Sequence, residues 1–145
     1  MTNAPRLLGV QAEGAAPLVL GHAVAHPETV ATAIRIGRPA RGEEALLAAE
    51  ESNGRIVAVD DEAILAMQLR LAAEGVWCEP ASAAGAAGLL AETTAGRLDV
   101  RGQTVVAVIT GHGLKDPDAI TKRATAPLVI GPVFEELLKA AALGD

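Results

Sequence analysis

Cysteine occurs once, at Cys78, so no disulfide can close within the chain and no cysteine-built zinc site is available. Aromatic side chains are nearly absent: Trp77 and Phe134 stand alone, and tyrosine is missing altogether. A core made without them rests on smaller aliphatic residues, each of which gains less from burial than an aromatic ring does. Basic residues are outnumbered, 12 against 18 acidic, for a net charge of -6. They are also scattered, and without a basic face the release of counterions from a phosphate backbone has little to work with, which argues against a nucleic-acid binder. Long apolar runs are missing too. Although 50% of the residues are hydrophobic and the mean hydropathy is +0.32, no stretch reaches the roughly 20 apolar residues that cross a bilayer. The opening Met1-Thr2-Asn3-Ala4-Pro5-Arg6 has no charged segment leading into an apolar one, so export is not expected. These absences point to an acidic cytoplasmic protein with no membrane partner. Its 145 residues have room for one domain of ordinary size.

What is present alternates. Leu7 to Gln11 is short and apolar, a first strand. Ala15 to Gly37 is broken by Pro17 and Pro27, and Glu28 to Ile36 reads as a short helix or a structured loop. Gly42 to Ser52 is rich in alanine, leucine and glutamate, good helix formers, and Asn53-Gly54 stops it. Arg55 to Val59 is a second strand. Asp60 caps the following helix, whose first turn carries Asp61 and Glu62 at the favourable end of the dipole. Ile64, Leu65, Gln68, Leu69 and Leu71 mark its inward face, and Gly75 ends it. Val76-Trp77-Cys78 is a brief extended piece. Pro80 or Ser82 opens an alanine-rich helix to about Thr94, Thr104 to Ile109 is the next strand, and Val133 to Ala142 is a closing amphipathic helix. Strands alternating with helices imply an α/β fold with a parallel sheet covered on both faces.

The segment with most chemical content is Thr110-Gly111-His112-Gly113-Leu114-Lys115-Asp116-Pro117, directly behind Thr104-Val105-Val106-Ala107-Val108-Ile109. The β-branched run is expected to be a strand buried on both faces. Two glycines then turn the chain and leave the hydroxyl of Thr110 at the carboxyl end of that strand, the edge where ligands sit in open α/β sheets. An ordinary strand-end threonine before a turn is the alternative reading. Three strands nevertheless make a thin parallel sheet with exposed apolar edges, and the simplest explanation is that the chain is part of a larger protein.

Four blocks occur in a familiar order. They are Gly9-Val10-Gln11-Ala12-Glu13-Gly14-Ala15-Ala16-Pro17, then His26-Pro27-Glu28-Thr29-Val30-Ala31-Thr32-Ala33-Ile34-Arg35-Ile36-Gly37, then Cys78-Glu79-Pro80-Ala81-Ser82-Ala83-Ala84, and last the octapeptide from Thr110. With these, residues Leu7 to about Asp118 resemble the C-terminal part of the threonine synthase family, pyridoxal-phosphate enzymes of fold type II (tryptophan-synthase-β-like). Arg38-Pro39 stands where that family usually has Asn-Pro, a departure close to the expected active site. Past Asp118 no useful similarity is visible.

The resemblance implies a three-layer αβα large domain, of which residues 1–118 are the C-terminal part, with 119–145 a tail carrying a helix. It implies pyridoxal 5'-phosphate as cofactor, with Thr110 donating its hydroxyl to the pyridine nitrogen. A hydroxyl donor leaves that nitrogen largely unprotonated, where a carboxylate would hold it protonated, so the electron sink is milder. Ala31-Thr32-Ala33 is implied to pass one face of the ring, with Ala33 as the contact, against plain packing as the alternative. Glu79 either borders the cofactor pocket at a helix start or accepts from backbone amides, and His112 reads as a turn residue. The implied reaction takes O-phospho-L-homoserine and water to L-threonine and phosphate, in a complete enzyme expected to be a homodimer.

Two parts of the family's machinery have no counterpart. The Schiff-base lysine and the glycine-rich loop that holds the cofactor phosphate lie upstream in the family, and the lysines here are Lys115, Lys122 and Lys139. Lys115-Asp116 mimics the lysine motif but is followed by Pro117. No catalytic residue and no metal ligand is therefore assigned, and the chain is expected to be inactive without its N-terminal part. Another fold type II lyase, such as a threonine or serine dehydratase, is the nearest alternative, although such enzymes usually end the corresponding strand differently. A non-catalytic remnant or small-molecule-binding module is the alternative outside enzymes.

Overall fold

The computed structural model describes residues 4–121, 126 and 128–141. Two parallel strands form its sheet, β1 (Leu8–Ala12) and β2 (Arg55–Val59), in register from Leu8 opposite Arg55 to Ala12 opposite Val59. Between them lie α1 (Pro17–Leu20) and α2 (Gly42–Glu51); after them come α3 (Asp61–Ala73) and α4 (Pro80–Thr94). Two short helices follow, α5 (Asp118–Thr121) and α6 (Phe134–Ala140). No described helix is long and apolar enough to cross a membrane.

Side-chain alternation along β1 assigns the layers. Val10 faces α4, where Gly88 lets the helix down onto the strand: a β-carbon there would overlap the Val10 methyls. Gln11 points the other way, and its side-chain oxygen accepts from the backbone N–H groups of Leu18 (2.9 Å) and Val19 (3.3 Å) in the first turn of α1. Those N–H groups have no partner within the helix, so the glutamine supplies one. Helices thus cover both faces of a parallel sheet, the αβα arrangement expected. The core is small: Ala12, Ala31, Val59, Ile64, Met67, Cys78, Ala83, Ala84 and Ala87. Alanine there trades apolar area for close approach of α4 to the sheet.

Local signals are obeyed where they are strong. Asp60 caps α3 by accepting from Ala63 N–H at 2.7 Å. Asn53 takes a positive φ of 52° behind α2, and Gly54 N–H closes on Ala49 O at 2.7 Å. Pro80 opens α4. Glu28 to Ile36 is a structured loop with one 3-10 turn at Thr32–Ile34, and Asp61 fixes it by accepting from Thr29 Oγ1 (2.5 Å) and Val30 N–H (2.9 Å).

Three expectations need correction. On α3 the buried residues are Ile64, Met67 and Gln68, while Leu69 is 57% exposed. The inward stripe follows the i, i+3, i+4 spacing from Ile64, and Leu69 falls outside it. Thr104–Ile109 is not a buried strand: it pairs with neither β1 nor β2, and Val106 and Val108 are 81% and 73% exposed. A strand needs a neighbouring edge to satisfy its backbone, and among the described residues this segment pairs with neither β1 nor β2. The closing helix spans Phe134–Ala140 and buries no residue, so its amphipathic face is not sunk into the core; Ala142 lies outside the described residues.

Below the sheet, Glu92 of α4 is buried and holds Arg97 at 2.7 Å and Arg55 of β2 at 2.9 Å. The Arg97 hydrogen bond, outweighing desolvation, keeps its carboxyl below the ordinary range, with the Arg55 charge adding to the effect. A buried carboxylate is tolerable because two guanidinium groups meet it.

Candidate functional site

The start of α4 and the Thr110 octapeptide are laced together. Glu79, at the N-cap in extended geometry, places its carbonyl to accept from Ser82 N–H (3.0 Å) and Ala83 N–H (3.3 Å). Its own N–H donates to Gly111 O at 3.0 Å, and Gly113 N–H donates to Trp77 O at 3.2 Å, so residues 77–79 and 111–113 run antiparallel, with Cys78 opposite His112. Gln68 of α3 donates to Cys78 O at 2.8 Å. Burial, aided by the neighbouring Glu79 charge, raises the Cys78 thiol pKa, which makes it an inert core residue rather than a nucleophile.

Glu79 is buried, and its carboxylate receives Lys115 Nζ at 3.2 Å. Gly111 is the residue this arrangement requires, since any β-carbon there would collide with the Glu79 carboxylate. His112 accepts at Nδ1 from Leu114 N–H at 3.2 Å and is exposed. It is the turn residue expected, capping the 3-10 turn Gly113–Lys115.

Thr110 itself is exposed, yet it is tied at two atoms to buried Ser82 in the first turn of α4. Ser82 Oγ lies 3.1 Å from Thr110 N, 2.7 Å from Gly111 N and 2.8 Å from Thr110 Oγ1. The second block reaches the same loop from another direction. Thr32 Oγ1 donates to Asp116 Oδ2 at 2.7 Å, and Asp116 is buried. Ala33, next to Thr32 in the 3-10 turn, is exposed, whereas Ala31 is fully buried. The structure thus joins the Ala31-Thr32-Ala33 turn, the α4 start and the Thr110 loop through hydrogen bonds. Ser82, Thr32 and Asp116 are the residues whose part in this was missed. Ser82 is the one hydroxyl in the otherwise aliphatic first turn of α4, which was the available signal.

A separate open cleft of about 560 Å³ is lined by residues including Leu18, His22, Arg38, Pro39 and Glu43, and by neither Thr110 nor Ala33. The Arg38 departure belongs to that cleft.

Chemically, the arrangement is a small neutral hydroxyl held at a fixed point, with an exposed methyl on an adjoining turn. The hydroxyl can donate or accept one hydrogen bond, and the Ala33 methyl offers a small apolar contact. It offers no anionic partner at Thr110, because the nearby carboxylates of Glu79 and Asp116 are buried and engaged by Lys115 and Thr32.

Comparison with known proteins gives the family. Residues 1–111 match the profile of the family described as pyridoxal-phosphate dependent enzyme. The chain is 59% identical over 119 residues to a threonine synthase from Mycobacterium leprae, covering 81% of this chain and 33% of the relative. It is 48% identical over 139 residues to a threonine synthase from Synechocystis, covering 94% of this chain and 36% of the relative. With a threonine synthase from Methanocaldococcus jannaschii it shares 43% over 135 residues, covering 87% and 33%. A match over 94% of the chain runs past Asp118, so the similarity extends further than the motif blocks alone indicated. The chain spans about a third of the length of the curated relatives it matches. By the match over residues 1–111, the chain belongs to the pyridoxal-phosphate dependent enzyme family.

Proposed function

We propose that the chain is the C-terminal part of a threonine synthase, a lyase converting O-phospho-L-homoserine and water to L-threonine and phosphate. The observation that carries the reading is the exposed hydroxyl of Thr110, tethered to buried Ser82 at the start of α4. It supports a contact with the pyridine nitrogen of pyridoxal 5'-phosphate, which when bound supplies the electron sink of the reaction. A neutral donor at that nitrogen stabilises it without a full positive charge. Ala33 meets the ring face, where a larger side chain would hold the ring away. Thr32 and Asp116 keep that turn in place through their 2.7 Å hydrogen bond.

Lys115 holds the buried Glu79 and does not bond the cofactor. The lysine that does, and the loop that cradles the cofactor phosphate, belong to the part of the relatives' length this chain does not span. Residues 1–118 are the C-terminal part of the cofactor-binding domain, residues 119–145 form a tail with a helix, and the chain alone is inactive. The complete enzyme is a cytoplasmic homodimer.

The test supplies the complete polypeptide with O-phospho-L-homoserine and measures phosphate and threonine together, then supplies L-threonine or L-serine and measures oxo acid. Equal amounts of threonine and phosphate are expected. Oxo acid from threonine, with no phosphate released from phosphohomoserine, would establish a dehydratase instead.

A further inference from the structure

We propose that Ser82 is a positioning residue that fixes the polarity of the Thr110 hydroxyl and makes it an obligate donor. The inference rests on the reading that Thr110 meets the cofactor's ring nitrogen. A serine hydroxyl has two lone pairs and one proton. Two backbone N–H groups, those of Gly111 at 2.7 Å and Thr110 at 3.1 Å, point at Ser82 Oγ and occupy both pairs. An N–H can only donate, so the direction of these two bonds is settled.

The serine proton then has two acceptors within reach, Thr110 Oγ1 at 2.8 Å and Gly111 O at 3.4 Å. The shorter contact is well inside the usual range for O–H···O and the longer one is beyond it. Ser82 therefore donates to Thr110, and Thr110 cannot donate back to an oxygen with no lone pair to spare. Its own proton turns outward, to the exposed side. Ser82 is 3% exposed, so bulk water does not compete for its atoms.

An isolated threonine hydroxyl accepts or donates as its partner demands. With Ser82 behind it, this one selects a ring nitrogen that accepts and discriminates against a protonated or alkylated one. The backbone amides of Thr110 and Gly111 thus set, through one buried oxygen, the electronic character of the site.

The experiment uses the complete apoenzyme and measures affinity for pyridoxal phosphate against 1-deazapyridoxal phosphate, which has a C–H in place of the ring nitrogen. In the parent, the natural cofactor is expected to bind about tenfold better, the worth of one neutral hydrogen bond. Thr110→Val should abolish this preference, and if it does not, the Thr110–nitrogen reading itself fails. Ser82→Ala should reduce the preference severalfold, read as the ratio of the two affinities so that any general loss of binding cancels, and Ser82→Thr, which retains the hydroxyl, should restore it. Loss of preference in Thr110→Val but full retention in Ser82→Ala overturns the role of Ser82 alone. Ring-nitrogen-labelled cofactor on the unaltered enzyme gives a second readout by nitrogen NMR, needing no variant. A neutral, hydrogen-bonded pyridine shift is expected, and a pyridinium shift that still responds to Thr110→Val would show Thr110 accepting and overturn the assigned polarity.

Discussion

Thr32 and Asp116 lie 84 positions apart in the chain and are joined by a 2.7 Å hydrogen bond to a buried carboxylate. The bond locks the turn that presents Ala33 to the loop that presents Thr110. Removing the donor leaves a buried carboxylate oxygen without its partner, which typically costs about 1–3 kcal/mol. Thr32→Val in the complete enzyme is therefore expected to lower thermal stability and weaken cofactor binding together. Thr32→Ser, which keeps the hydroxyl, should recover most of both. Equal melting temperatures and cofactor affinities for the parent and Thr32→Val would show that the bond holds nothing in place.

Thr110 and His112 are two residues apart and are expected to respond in opposite ways. Thr110→Val preserves shape and removes the donor, so cofactor affinity and kcat should fall by a combined ~1–3 kcal/mol. Thr110→Ser should retain most activity. His112→Ala deletes only the acceptor for Leu114 N–H, and a modest loss of stability is the expected result. Cofactor dissociation and kcat for the three variants decide it; a silent Thr110→Val beside a dead His112→Ala would reverse the assignment.

Acid should act through Glu92. Its folded-state pKa lies below the ordinary 4.5, chiefly because Arg97 bonds the charged form. The stabilisation is complete above the ordinary value and disappears as pH falls through the lowered one. The melting-temperature advantage of the parent over Glu92→Gln should thus be constant near neutrality and shrink below about pH 4.5. An advantage that grows with acidification would contradict the ion pairing of Glu92 with Arg55 and Arg97.

The isolated chain should not behave as a finished domain. Val106, Val108, Val129 and Phe134 are 81%, 73%, 90% and 67% exposed, and unpaired apolar chain of this kind associates with other chains. Dye binding at exposed apolar surface and a shallow urea transition are expected, both corrected by co-expressing the upstream segment. A sharp two-state transition with a full-sized m-value for the chain alone would count against its being one part of a larger fold.

Locally encoded features were the legible ones. β2 was read at Arg55–Val59 from a β-branched run between a helix stop and a cap, and both flanking signals are short-range: the positive φ of Asn53 and the Asp60 bond to Ala63. Thr104–Ile109 carries an equally good local pattern, yet a strand is a relation between two segments, and its partner edge is not β1 or β2. The phase of α3 slipped from Met67 to Leu69 because both are apolar, and only packing against α4 chooses between them. At the site, Thr110 was visible from its place behind the apolar run. The roles of Ser82 and Asp116 were not, since their partners stand 28 and 84 positions away.

Thr110 owes its position to a helix rather than to a strand. Its backbone and hydroxyl are bonded to the first turn of α4, while the same helix rests at Gly88 against Val10 of β1. The helix therefore works as a rigid lever with its fulcrum on the sheet. A tilt produced by one oversized side chain at the fulcrum is carried along the rod and swings the hydroxyl at the tip. Substitutions at that contact, with no chemistry of their own, can thereby displace the Thr110 hydroxyl.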